Sequence, residues 1–253
     1  MAALAQAEPV RLSLRAKLRI FWRINAMLLL LFACVPLYYL RRALGGHNPW
    51  PRRFLAGVNR LAGVRLRIAG ERPQGKAFLI ANHVSWIDIP AIAAASGSAF
   101  VGHDGLASMP LLKTLCAMND TVFIARHDRT SVHKQVEQVR HALADTGALT
   151  IFPEGTTSDG TGLLAFKSSL LSALEPVPEG VSVVPVLLDF GPEAASLAWV
   201  GEEHGLANFL RILARKRPVD LTVHFLPALT GDQVKDRKTM ASAAREAILK
   251  ALG

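Results

Sequence analysis

The stretch AFLIANHVSWID, Ala77 to Asp88, joins an apolar run to a polar cluster that ends on an acid. Its first half, AFLIAN, reads as a strand. DIPAIAAAS, which begins on that acid, opens a helical pattern. Strand, polar loop and helix in succession is the repeating unit of an α/β fold. The loop also sets a chemical question. His83 and Asp88 are five positions apart, either as a working pair or as a buried histidine beside a helix-start acid.

The same alternation extends in both directions. Strand-like runs occupy 64–69, 77–82, 98–103, 121–126, 148–153, 181–190 and 220–229. Helical patterns lie between most of them: GLASMPLLKTLCAM, TSVHKQVEQVRHALADTG and LLAFKSSLLSALE, with MASAAREAILKAL at the C-terminus. In the second of these, Val132, Val136, Val139 and Leu143 fall at helical spacing and Gly147 stands just past the end. The expected fold is α/β, a mixed, largely parallel sheet flanked by helices over 64–253. No repeat, low-complexity tract or linker interrupts that span. Ligands of such sheets gather at the carboxyl ends of the strands. Two polar clusters occupy that position, NHVSWID after 77–82 and PEGTTSDG after 148–153, so they can share one site.

The first 63 residues read differently. Residues 1–67 hold 12 Lys/Arg and one acid, whereas 68–253 hold 17 Lys/Arg and 19 acids. The net charge of +9 therefore sits beside the most apolar segment, AMLLLLFACVPLYYL (26–40). Basic residues around apolar sequence suit an anionic membrane surface. A nucleic-acid partner is not expected, because that needs a basic reading surface on the folded domain. The apolar run has 15 residues, 17 with Ile24 and Asn25, against about 20 for a spanning helix. Pro36 is expected to kink it or release its last turn. Both flanks are basic: Arg15, Lys17, Arg19 and Arg23 before, Arg41, Arg42, Arg52 and Arg53 after. A helix dipping into one leaflet explains this better than a span, and PRRFLAGVNRLA (51–62) could be a second interfacial helix. A cleaved signal peptide competes, but no small-x-small site precedes the Arg41-Arg42 pair. The expected division is a membrane anchor over 1–63 and an α/β domain over 64–253. The two cysteines, Cys34 and Cys116, form no disulfide framework or zinc pattern, which fits a reducing compartment.

Five residues on an ideal helix turn through 500°, which places His83 and Asp88 apart if both are helical. They meet if His83 lies in the loop and Asp88 folds back from the first helical turn. The carboxylate then holds one imidazole nitrogen and leaves the other free to take a proton. No G-x-S-x-G elbow supplies a serine nucleophile, so the nucleophile would be a substrate hydroxyl. Taken alone, the pair reads more readily as a satisfied histidine beside a helix-start acid, and FPEGT equally as a tight turn or a site.

Together the blocks NHVSWID, TVFIAR, FPEGT and VVPV resemble, in order and spacing, the 1-acylglycerol-3-phosphate acyltransferase family over about 65–190. The resemblance implies a transfer of a fatty acyl group from acyl-CoA or acyl-carrier protein to the free hydroxyl of a lysolipid, at a membrane on its cytoplasmic face. His83 would take the hydroxyl proton and Asp88 would orient it. Glu154, Gly155 and Thr156 would position the acceptor, Arg126 would contact its polar head, and Pro185 would shape the far wall. Neither a metal nor a resident cofactor is implied.

Two positions depart from the family pattern. Asp120 stands where the second block usually has glycine, and Thr157 where the third usually has arginine. Threonine cannot copy the charged fork that arginine offers phosphate, although Arg126 and Lys167 remain. FPEGTTSDGTGLLAFKSSL looks more like the branch that acylates lyso-ornithine lipid, a zwitterionic aminolipid. Asp159 could pair with that ammonium, or simply be a solvated turn acid. A non-catalytic membrane-binding module of the same fold would not need His83, Asp88 and Glu154 together. A lipid-directed thioesterase or hydrolase would put water where the lysolipid hydroxyl sits.

Overall fold

The computed structural model describes residues 12–103, 110–124 and 132–253. Among the described residues are seven strands, β1 (Val64–Ala69), β2 (Lys76–Ala81), β3 (Ala99–His103), β4 (Val122–Ile124), β5 (Ala148–Ile151), β6 (Val181–Asp189) and β7 (Val219–Phe225). They form one sheet in the order β1-β7-β6-β2-β5-β3-β4. Every neighbouring pair is parallel except β6 and β7. All seven strand-like runs of the sequence are thus strands of one mixed, largely parallel sheet.

β2 lies at the centre, and all its residues after Lys76 are buried. Because strand side chains alternate, Ala77, Leu79 and Ala81 enter the core on one face and Phe78 and Ile80 enter the other. The first face is covered by α3 (Asp88–Ser96) and α7 (Gly205–Ala214), through Ala91, Ile92, Ile212 and Leu213. The second is covered by α5 (Val132–Thr146) and α8 (Arg237–Leu252), through Val139, Leu143, Met240, Ala241 and Ala244. α4 (Pro110–Met118) and the short α6 (Ala194–Leu197) complete the α/β unit. Gly97 and Gly147, both at φ +76, close α3 and α5 in the left-handed conformation that glycine adopts without strain.

The segment LLAFKSSLLSALE differs from its helical expectation. Only Ser168–Leu174 is helical, and it is a 3-10 helix. Four backbone groups of three residues before Ser168 are tied elsewhere: the Leu164 N–H goes to Glu154, the carbonyls of Leu163 and Leu164 accept from Arg245, and the Lys167 N–H goes to the Pro153 carbonyl. Backbone groups committed to the site loop and to α8 are not available to a helix.

The N-terminal segment is α1 (Leu14–Leu44) and α2 (Trp50–Leu61). α1 runs unbroken through Pro36 for 31 residues, longer than the apolar run suggested and without the release of its last turn. One 18-residue window has a mean hydropathy of 2.0, so by length and composition the helix is able to cross a bilayer. Its faces are distinct. Ile20, Ile24 and Met27 pack on the core beside α3 and α7. Leu14, Leu18, Phe21, Trp22, Leu29 and Phe32 are exposed.

Some of the basic flank serves the fold. Arg23 donates to the carbonyls of Leu213 and Arg215 at 2.9 and 3.3 Å, and Arg19 donates to that of Ala214. Arg52 donates to the Ala94 carbonyl at 3.0 Å. These are the orphan carbonyls at the C-termini of α7 and α3, where the helix dipole favours a cation. Three of the arginines beside the apolar run therefore bind the two helices of the N-terminus to the α/β unit.

Candidate active site

β2 and β5 are adjacent and parallel, so the polar clusters that follow them emerge side by side at the carboxyl edge of the sheet. His83 lies in the loop after β2, and Asp88 is the first residue of α3. The carboxylate folds back, and Asp88 Oδ2 lies 2.7 Å from His83 Nδ1. The same oxygen accepts from the N–H groups of Val84 at 2.6 Å and Ser85 at 2.8 Å. Oδ1 is buried and has no partner among the described residues. The Asp88 side chain is 0% exposed and that of His83 is 19% exposed, so the acid is sealed and the imidazole can be reached from outside. With Nδ1 turned to the carboxylate, Nε2 is the ring nitrogen left for a proton. Phe152 stacks on the imidazole with centroids 4.2 Å apart and planes 18° apart.

Glu154 is 1% exposed. One of its oxygens accepts from the His83 N–H and the other from the Leu164 N–H, each at 2.8 Å. Burial pushes its carboxyl above the ordinary glutamate value, and these backbone donors pull it partly back. Its carboxylate thus braces the histidine loop against the segment at 164. The His83 carbonyl in turn accepts from the Ser158 N–H at 2.7 Å and the Ser158 hydroxyl at 3.1 Å. The two loops are sewn together on both sides of His83.

Gly155 has φ +71, and a β-carbon there would lie 2.9 Å from Lys167 Nζ. The turn therefore needs glycine, and the Lys167 side chain lies over it. Thr156 is exposed and Thr157 half-buried. The Thr157 hydroxyl donates to the Trp199 carbonyl. Asp159 is exposed and closes its own turn by accepting from the Thr161 N–H and hydroxyl at 2.9 and 2.8 Å, which holds its carboxyl below the usual value. Pro185 is buried in β6 opposite Ile80, three positions before His83. Arg126 lies outside the described residues.

Asp120, the first departure, has φ +52. That left-handed conformation is where glycine is at home, and aspartate is among the residues that tolerate it. The backbone keeps the shape while the side chain differs.

Several residues of the site gave no signal in the sequence. Phe152 is an ordinary strand-end aromatic until it is seen stacked on His83. Trp199 and Asn208 reach the loops only through tertiary contacts. Asn208 and Trp199 belong to α7 and the segment before it, and α7 is not among the helical patterns expected from the sequence. Its signal was Leu206, Phe209, Leu210 and Leu213 at helical spacing over only 10 residues.

Comparison with known proteins gives the family of the chain. The family model described as Acyltransferase matches residues 63–189, half of the chain. A lyso-ornithine lipid O-acyltransferase of Rhodobacter capsulatus is 28% identical over 93% of this chain and 90% of its own. One from Pseudomonas aeruginosa is 31% identical over 84% of each. A 1-acyl-sn-glycerol-3-phosphate acyltransferase of Neisseria gonorrhoeae is 30% identical over 72% of this chain and 71% of its own. The crystal structure of the 1-acyl-sn-glycerophosphate acyltransferase from Thermotoga maritima superposes with a TM-score of 0.64 over 92% of this chain and 96% of that one, at 17% identity, a likeness of fold. The family match contains both site loops, and the relatives extend it to most of the chain: the protein belongs to the acyltransferase family.

Proposed function

We propose that this acyltransferase moves a fatty acyl group from a thioester donor, acyl-CoA or acyl-carrier protein, to the free hydroxyl of a lysolipid, with His83 as general base and Asp88 as its orienter. The observation that carries this reading is a sealed Asp88 bonded to Nδ1 of a reachable His83. Nε2 takes the proton of the lysolipid hydroxyl as its oxygen attacks the thioester carbonyl. The tetrahedral intermediate expels the thiolate, which recovers that proton from the imidazolium. An ester and a free thiol result, and His83 is neutral again. Asp88 stabilises the imidazolium between the two transfers. Glu154 and Ser158 hold the histidine loop against the FPEGT turn, and Gly155, Thr156 and Lys167 face the acceptor there. Arg126 would supply a second cation to the head group.

The acceptor we favour is a lyso-ornithine lipid. Thr157 in place of arginine removes a bidentate phosphate contact, and the relatives named for lyso-ornithine lipid support the same choice. Purified protein supplied with either donor and a panel of lysolipids tests this. Product should form with lyso-ornithine lipid in preference to lysophosphatidate; a strong preference for lysophosphatidate would reject the aminolipid assignment while leaving the reaction in place.

Thr157→Arg should shift the ratio of kcat/KM toward lysophosphatidate by roughly 1–3 kcal/mol, the scale of one charge-assisted contact. Competition between the two lysolipids, for wild type and variant, reads it directly. An unchanged ratio would show that residue 157 does not select the head group.

The site works on a lipid, and we assign it to a membrane surface on the cytoplasmic side, where both donors occur. The exposed apolar face of α1 supports this. Apolar burial is not screened by salt, so the protein should stay with the membrane fraction in a high-salt wash and leave in detergent. Release by salt alone would contradict the apolar attachment.

A further inference from the structure

The family match stops at Asp189, yet the site loops are held from outside by a segment that follows it. Residues Val84 and Ser85 both give their N–H groups to Asp88 Oδ2. On their other side, the Trp199 N–H donates to the Val84 carbonyl at 2.9 Å, and the Ser85 hydroxyl donates to Asn208 Oδ1 at 3.3 Å. The Trp199 carbonyl accepts from the Thr157 hydroxyl. One short segment thus reaches both the histidine loop and the FPEGT loop.

Asn208 sits in α7 and is fully buried, as is Ser85. Its amide is not free to turn. Nδ2 donates to the Ala198 carbonyl at 3.2 Å and to a Glu203 carboxylate oxygen at 2.9 Å. A carbonyl and a carboxylate can only accept, so the nitrogen must face them and the oxygen must face Ser85. Glu203 is itself gripped by Arg211 at 2.9 and 2.8 Å. The orientation of one amide is therefore fixed by an ion pair on the side away from the site.

We propose that Asn208 is a positioning residue for acyl transfer: through Ser85 it holds the Val84–Ser85 backbone in the place from which Asp88 meets His83. This rests on the reading of His83 and Asp88 as the base and its orienter. The far end of α7 is capped by Arg19 and Arg23 of α1, so the helix that carries Asn208 is fixed at both ends. A buried polar cluster could also serve stability alone, and the two roles give different results. A role in stability lowers the melting temperature and leaves the turnover of folded protein intact. A positioning role lowers kcat, because a catalytic group displaced by about 1 Å can cost on the order of a hundredfold.

The test uses the full chain in detergent, with Ser85→Ala, Asn208→Leu, the double variant and His83→Ala. Each is measured for kcat, KM and thermal unfolding. Ser85→Ala and Asn208→Leu should each lower kcat about tenfold to a hundredfold, with KM for the acyl donor little changed. The double variant should cost no more than Asn208→Leu, because both act through one contact. If Ser85→Ala and Asn208→Leu melt lower but keep kcat within about threefold of wild type, or if their costs add, the positioning role is overturned. If Asn208→Leu does not fold, Ser85→Ala decides by the same threshold. His83→Ala separates the two levels. If it is inactive while Ser85→Ala is normal, only the role of Asn208 falls; if it is fully active, the reading of the site falls and the positioning role falls with it.

Discussion

Replacing His83 by alanine is expected to lower turnover by about 10²–10⁴-fold, the usual range for loss of a general base. The imidazole is the group that joins a buried carboxylate to the open side of the site. Its Nδ1 is held 2.7 Å from Asp88 Oδ2, which leaves Nε2 to take the proton. The change should act on kcat much more than on folding. The imidazole is partly exposed, and the loop is held by backbone contacts that alanine keeps: the His83 N–H to Glu154 and the His83 carbonyl to Ser158. A melting temperature near that of wild type, with turnover lowered by this factor, is the expected pair of measurements. Near-normal turnover in folded protein would remove His83 from the chemistry.

Asp88→Asn is expected to be nearly as damaging, on the order of 10²–10⁴-fold, for a reason visible in the contacts. Three donors converge on Oδ2, namely the imidazole at Nδ1 and the N–H groups of Val84 and Ser85. Oδ1 is buried with no partner among the described residues. If the introduced amide keeps its oxygen toward the three donors, its NH₂ takes the buried place of Oδ1. If the amide flips, its NH₂ faces two backbone donors and reverses the tautomer of His83. In both cases the negative charge that stabilises the imidazolium is gone. Thermal unfolding separates the effects: damage to the chemistry lowers turnover in protein that still melts cooperatively, whereas simple unfolding would remove the transition together with the activity.

The sheet was legible because its strands are short apolar runs separated by polar loops and helical spacing. The central strand, AFLIA, is buried on both faces, and only apolar residues can occupy such positions in succession. The placement of the two polar clusters followed from the rule for carboxyl ends, and β2 and β5 are neighbours. The His83–Asp88 contact was legible as a geometric option, since a loop histidine and a first-turn acid can meet. Glu154 was readable as a site residue but not its direction. That its carboxylate turns inward to the His83 and Leu164 N–H groups depends on the Leu163–Lys167 chain passing over the turn. The same passage prevents the helix expected at 163–175. α7 escaped notice because it is short and begins at His204, whose imidazole accepts from the Leu206 N–H in place of a common cap residue. The roles of Arg19, Arg23 and Arg52 were hidden by composition. As sequence they are a basic flank, and only the fold brings the ends of α7 and α3 to them.

The most direct measurement follows a labelled acyl group from its thioester in the presence and absence of lyso-ornithine lipid. The account predicts that label appears as ester in the diacylated lipid, one thiol is released per ester formed, and little thiol is released without acceptor. Label appearing as free fatty acid at the same rate with or without lysolipid would contradict it, because water and not a lipid hydroxyl would then be the nucleophile that His83 serves.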